Sequence, residues 1–283
     1  MVVGATSVST AQSDLTICFA FQDLETEFWV AGHLAITTSL RDQGIEVIET
    51  NANEDPNRQF EQVVDCINQG VDGIIIIPQD GDSANTIVAE AQDNDVPIAV
   101  FNRPPNDLSR GIVVVADNLT ITEQAVEYMA RLALSRYEVT GEALTPMVIV
   151  GALQDTNAIF RRDGFYNVVN RYSERYPGLF NEPIEVASEW DPPTLLANLE
   201  AAIANNPDVD FLFTSSDFLF PTIRSVLEPL GKWVPAGTPG HVIMGGLDGD
   251  ATACQLIKDG LIAATGVQDL FFEADATVAA CWN

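Results

Sequence analysis

The segment Gly73-Ile74-Ile75-Ile76-Ile77, closed by Pro78, constrains this chain more than any other. It shows no polar alternation, and such a run fits a strand inside a parallel sheet covered on both faces. Parallel strands need long crossovers, usually helical, and the flanking sequence supplies them. Strands are expected at Leu15–Phe21, Ile45–Glu49, Gly73–Ile77, Pro97–Phe101 and Gly111–Ala116. Glu27–Gln43, Asn57–Gln69, Ser83–Asn94 and a long stretch from Thr120 to Tyr137 carry apolar residues at helical spacing. The first of these places Phe28, Ala31, Leu34, Ala35 and Leu40 on one side, and Gly44 stops it.

The second half repeats the grammar. Strands are expected at Met147–Gly151, Ile184–Ser188, Val209–Thr214, Val242–Gly246 and Ala263–Val267. Helices are expected at Ala158–Tyr176, Thr194–Asn205, Phe218–Leu230, Ala251–Asp259 and Phe271–Cys281. This alternation gives parallel sheets with helices on both faces, joined by right-handed crossovers. Ile45-Glu46-Val47 followed by Val71-Asp72 is echoed by Ile184-Glu185-Val186 followed by Val209-Asp210, each with a helix between. The echo points to two similar lobes, and 283 residues suit two domains of about 100–200 residues.

Charge narrows the partners. Asp and Glu number 41 against 13 Lys and Arg, for a net charge of −28. Nucleic acid and anionic membranes would both be repelled. No apolar run approaches the ~18 residues of a membrane helix. Phe271 to Trp282 comes nearest and is cut by Glu273 and Asp275. Met1 to Ser13 has neither a charged start nor a long apolar stretch, so it reads as a mature terminus with any signal peptide already removed. Cys18, Cys66, Cys254 and Cys281 fit no metal spacing and sit among apolar neighbours. Buried free thiols are the expectation, with a Cys18–Cys66 bridge as the lesser alternative.

In open parallel sheets, ligands bind beyond the carboxyl ends of the strands. The residues there are Gln22 to Trp29, Asn102-Arg103-Pro104-Pro105, Leu153 to Asn157 with Arg161-Arg162, Trp190-Asp191, Ser215-Ser216-Asp217, Leu247-Asp248-Gly249 and Gln268. Planar amides, guanidinium groups and carboxylates meet adjacent hydroxyls in pairs, and aromatic rings cover apolar C–H faces, so the mixture suits a sugar. Plainer readings stand beside this one. Asp217 and Asp248 could be helix N-caps, Phe28 could be core, and Arg103 and Arg161 could be solvated or paired with carboxylates. Trp190 is hardest to place in a core, because Asp191-Pro192-Pro193 begins a turn beside it. The dinucleotide fingerprint, the phosphate-binding loop and the nucleophile elbow are all missing. His33 and His241 have no ligand-spaced partner, so no metal and no cofactor are expected.

The ordered segments Phe28-Trp29, Val71 to Pro78, Val96 to Arg103, Ala116-Asp117-Asn118, Arg161 to Phe165, Asn206 to Val209, Gly246 to Gly249 and Asp259 to Gln268 carry a resemblance. From Leu15 to about Phe272 the chain resembles the type I periplasmic binding proteins, the ribose and glucose/galactose receptors that feed ABC importers. The resemblance implies an α/β fold of two Rossmann-like lobes with parallel sheets, joined by hinge strands, with a sugar in the cleft between them. The implied division is residues 1–13 as a tail, 14–116 with 269–283 as one lobe, and 117–268 as the other.

Carried over by position, the implied ligand residues are Phe28, Trp29, Asn102, Arg103, Arg161, Trp190, Ser216, Asp248 and Gln268. Ser216 stands where the family often has Asn. Ile77 stands where ribose receptors place a polar residue, and Thr26 where Asp or Asn is common. Asn102 with Trp190 is closer to the glucose/galactose group and tilts the ligand toward a pyranose. The implied function is a periplasmic or extracellular, monomeric, non-enzymatic receptor that presents a monosaccharide, hexose or pentose, to a membrane ABC permease. Full-length members continue beyond the last helix here, which motivates the alternative of a sugar-sensing ectodomain with a signalling partner. A transcription regulator is disfavoured by the charge, and an enzyme has only the fold class behind it.

Overall fold

The computed structural model describes residues 15–281. The tail assigned to residues 1–13 lies outside them. Two compact units divide the chain: one runs to Val115 and resumes at Leu270, and the other is Ala116–Asp269. The first holds β1 (Thr16–Phe21), α1 (Glu27–Asp42), β2 (Glu46–Asn51), α2 (Pro56–Gln69), β3 (Gly73–Ile77), α3 (Gly81–Asp93), β4 (Ile98–Phe101) and β5 (Ile112–Val114). The second holds α4 (Asn118–Thr140), β6 (Thr145–Val150), α5 (Thr156–Arg175), β7 (Ile184–Ala187), α6 (Pro192–Asn205), β8 (Val209–Thr214), α7 (Phe220–Leu227), β9 (Ile243–Asp248), α8 (Ala251–Lys258) and β10 (Ala264–Val267). The last helix, α9 (Leu270–Ala280), belongs to the first unit, where it packs on α1.

Each unit is one five-stranded sheet, in the order β2-β1-β3-β4-β5 and β10-β9-β8-β6-β7. All pairings are parallel. Taken from its own first strand, each order is 2-1-3-4-5, so the sequence echo reflects a shared topology. The order reverses at β1/β3 and at β6/β8, and crevices for ligands form at such switch points, beyond the carboxyl ends.

The isoleucine run behaves as its pattern requires. Ile75 and Ile77 enter one core with Phe19, Leu40 and Phe101, while Ile74 and Ile76 enter another with Val63, Ile87 and Val100. All four are fully buried, which is worth roughly 1.5–3 kcal/mol per side chain against exposure. In the second unit β6 divides the same way, Met147 and Ile149 to one core and Val148 and Val150 to the other.

Two expectations are corrected. Cys18 of β1 and Cys66 of α2 form a disulfide, their Cα atoms 6.1 Å apart, and Cys254 is exposed. Both bridged residues point into the same core; apolar neighbours had concealed the pairing. The single helix expected over Phe218–Leu230 is α7 flanked by 3₁₀ turns at Asp217–Leu219 and Glu228–Leu230. Pro221 starts α7 and Pro229 ends it, because proline donates no backbone hydrogen bond and fits only a helix's first turn.

Candidate ligand site

In the first unit, Phe28 and Trp29 occupy the opening turn of α1, which Thr26 caps by accepting the Trp29 N–H at 3.3 Å. Their rings meet edge to face at 4.9 Å. Both are half-buried and pack on the core, so the core reading of Phe28 holds in part. Arg103 follows β4. Its guanidinium lies 5.2 Å from the Trp29 ring centre, and its Nη1 donates to the carbonyls of Pro78 at 3.2 Å and Gln79 at 2.7 Å. These contacts fix the group against the end of β3. Asn102, in the left-handed region at φ 63°, donates to Glu273 Oε2 at 2.8 Å. Gln22, immediately after β1, is fully buried, and its amide has no hydrogen-bond partner among the described residues.

The second unit assembles a denser cluster. Arg161, in the second turn of α5, is 5% exposed. Its Nε donates to Asn118 Oδ1 at 2.8 Å, Nη1 to the Ser215 carbonyl at 2.6 Å, and Nη2 lies 3.3 Å from Asp248 Oδ1. The Trp190 ring centre is 5.6 Å from its guanidinium carbon. Asp248 closes β9. It accepts from Gln268 Nε2 at 2.9 Å and from the Ser216 hydroxyl. Asn118 Nδ2 also reaches Asn157 Oδ1 at 3.0 Å and Gln268 Oε1 at 3.4 Å. A buried arginine held on three sides and covered by an indole is a preorganised, directional donor.

Strain gathers at the same places. Trp190 at φ 58° and Asp248 at φ 124° adopt backbone conformations that cost bulky residues of order 1–3 kcal/mol each. The buried indole N–H of Trp190 and hydroxyl of Ser215 have no hydrogen-bond partner among the described residues. Such groups are costly unless something satisfies them.

Neither Asp217 nor Asp248 is an N-cap. Asp250 caps α8, accepting the Ala253 N–H at 2.6 Å, and the 3₁₀ turn at Asp217 has no side-chain cap. Burial pushes the Asp217 carboxyl well above the usual range, and the neighbouring Asp248 adds to it. Burial also raises Asp248, but the Arg161 charge and the bonds from Ser216 and Gln268 pull it back. Both carboxyls are thus raised; Asp248 has a charged partner in Arg161, and the neighbouring Asp248 raises Asp217 further.

The nine residues named from the sequence fall into two groups. Arg161, Trp190, Ser216, Asp248 and Gln268 join one network in the second unit. In the first unit Phe28 and Trp29 open α1, and Asn102 and Arg103 follow β4. Asn157 and Asp217 were among the strand-end residues and Asn118 in a segment carrying the resemblance, but none of them was carried into the ligand set, and Glu273 was not singled out as a candidate. A polar residue in the first turn after a strand end marks Asn118 and Asn157, and a carboxylate inside an apolar helix marks Glu273. Among the described residues no cluster of three or more His, Cys, Asp or Glu could hold a metal ion, and no helix is long and apolar enough to cross a membrane.

The family model for the periplasmic binding protein domain matches residues 17–283. The ribose import binding protein of Bacillus subtilis is 23% identical over 262 residues, covering 93% of this chain and 79% of that one. The D-xylose-binding periplasmic protein of Haemophilus influenzae is 27% identical over 269 residues, covering 92% and 75%. A solved ABC transporter solute binding protein from Mycobacterium smegmatis, with bound glycerol, superposes with a TM-score of 0.81 at 21% identity, covering 95% of this chain and 88% of its own. Two α/β units with parallel sheets are thus the architecture of this chain and of its structural neighbours.

Proposed function

We propose, because the chain belongs to the periplasmic binding protein domain family, that it is an extracytoplasmic receptor for a monosaccharide, a pentose or a hexose in its pyranose form, which it delivers to an ABC importer. The observation that carries this reading is Arg161, buried, anchored by Asn118, Ser215 and Asp248 and covered by Trp190. A fixed guanidinium beside a carboxylate and an indole matches a sugar, whose hydroxyls take the planar donors and acceptors and whose C–H face takes the ring. The unpartnered Trp190 N–H and Ser215 hydroxyl add donors that a ligand oxygen would satisfy. Asn102, Arg103, Phe28 and Trp29 supply the same chemistry from the first unit. The ribose and xylose named for the two relatives belong to this ligand class. The Cys18–Cys66 bridge supports a compartment outside the reducing cytosol.

Calorimetry and thermal melting with a panel of pentoses, hexoses and polyols test this. Saturable binding of a neutral aldose with a rise in melting temperature is expected. No response from any of them would refute the assignment.

A further inference from the structure

Asp217 is fully buried, yet no sugar-facing role is assigned to it above. Its Oδ2 accepts the Gly249 N–H at 2.8 Å, the Asp250 N–H at 3.4 Å and the Thr265 hydroxyl at 2.6 Å. These three donors lie on the turn that leaves Asp248 and on β10. Its Oδ1 has no hydrogen-bond partner among the described residues. It lies against Gly246, where a Cβ would come within 2.2 Å of Oδ1 and 3.0 Å of the Phe220 ring. With Oδ2 occupied by donors, a proton on the acid belongs on Oδ1, beside glycine backbone and an aromatic edge. A negative charge there would be neither solvated nor paired. The charged groups acting on it are Asp248 of β9 and Asp250 at the start of α8, and Asp248 is itself paired with Arg161 of α5.

We infer that Asp217 is a positioning residue: as an uncharged acid it clamps the Gly249–Asp250 turn so that Asp248 meets the ligand, and sugar affinity falls when it loses its proton. Ser216 completes the clamp by donating to Asp248 from the adjacent position. Ionised Asp217 would set a second negative charge beside Asp248 and an unsolvated charge on Oδ1 against its apolar wall, and the repulsion pushes Asp248 from its ligand-meeting position although the donors on Oδ2 favour the charged form. Burial and the neighbouring Asp248 both raise the acid's ionisation. Asp248 acts in the opposite sense, because ionisation strengthens the bonds it accepts from hydroxyls and its pairing with Arg161. Affinity therefore has an acid limb set by Asp248 and an alkaline limb set by Asp217. The inference rests on the receptor reading and deepens it.

The test is calorimetric titration of the full chain with D-ribose, D-xylose and D-glucose across a pH series. In the wild type, Kd on the alkaline side rises by up to about tenfold per pH unit, the limit for one linked proton. Asp217→Asn binds more weakly than the acid form, since its amide presses hydrogens on Gly246 and Phe220, but its Kd no longer moves on that side. Thr265→Val removes a hydroxyl that favours the charged carboxylate, so its alkaline limb shifts to higher pH. Infrared spectra of the wild type should carry a buried carboxylic-acid band that disappears over the same pH range and is absent in Asp217→Asn. Should Asp217→Asn fail to fold, the wild-type band and Thr265→Val decide the matter. Sugar binding with a flat alkaline profile, or with a limb that survives in Asp217→Asn, overturns this inference and leaves the receptor reading standing. Binding of none of the sugars at any pH overturns both.

Discussion

The Trp190 ring lies directly on Gly151: a Cβ added there would fall 2.0 Å from Cζ2 and 2.2 Å from Cε2 of the indole. Gly151 ends the run of β6, and its missing side chain is what allows the ring to cover Arg161. Gly151→Ala should therefore displace the indole and weaken sugar binding to nearly the same extent as Trp190→Ala, about 2 kcal/mol for a buried aromatic anchor. The two substitutions act on one feature, so the double variant should bind no worse than the worse single. Calorimetry on the three variants checks this, and additive losses would separate the glycine from the ring.

Asp248→Ala tests the cluster's electrostatics. Removing the carboxylate leaves Arg161 buried without its charge partner, a change that costs about 3–5 kcal/mol in comparable buried pairs. Both folding stability and sugar affinity should drop. Adding Arg161→Met should recover part of the lost stability while sugar affinity stays reduced. Urea midpoints report the first effect and calorimetry the second. Full stability in Asp248→Ala would mean that the pair carries no weight in the fold.

Much of the architecture was legible because the signals were periodic. The Ile74–Ile77 run announced a doubly covered strand, and the βαβ echo announced two like sheets. Proline broke the pattern over Phe218–Leu230, where helical spacing continues but Pro221 and Pro229 cannot donate within a helix. Site residues at strand ends were readable by position, as Arg161, Trp190, Ser216, Asp248 and Gln268 illustrate. Their partners were not, since Asn102 meets Glu273 across 171 residues and Arg161 meets Asn118 across 43. Asp217 looked like a cap because an aspartate before a helical run commonly is one; here its acceptor serves a turn 32 residues on.

Stability should depend on pH through Asp217. A carboxyl raised in the folded state binds its proton more tightly there than in the unfolded chain. Its contribution is complete below the unfolded carboxylate value, about 3.9, and is lost as pH climbs through the folded value. Urea midpoints of the wild type should accordingly fall as pH rises across that window. The fall should be shallower in Asp217→Asn by up to about 1.4 kcal/mol per pH unit. Asp210 and Asp248, also raised by burial, titrate in the same direction and keep some slope in the variant. Parallel wild-type and variant curves would remove Asp217 from the account.

The cysteines divide into three chemical classes, and thiol titration should count them. Cys254 is exposed and should react with a disulfide reagent at neutral pH in the native protein. Cys281 is half-buried and burial pushes its thiol up to about 12, so little of it is thiolate and it should react far more slowly than Cys254 until the protein unfolds. Cys18 and Cys66 should appear only after reduction. Their bridge closes a 48-residue separation, and on chain-entropy grounds it constrains the unfolded state by about 4 kcal/mol. Cys18→Ala/Cys66→Ala should lose at least that much in urea, because two small cavities in the core beside Val63 and Ile74 add to the lost constraint. Four reactive thiols in the unfolded, unreduced protein would show that the bridge does not form.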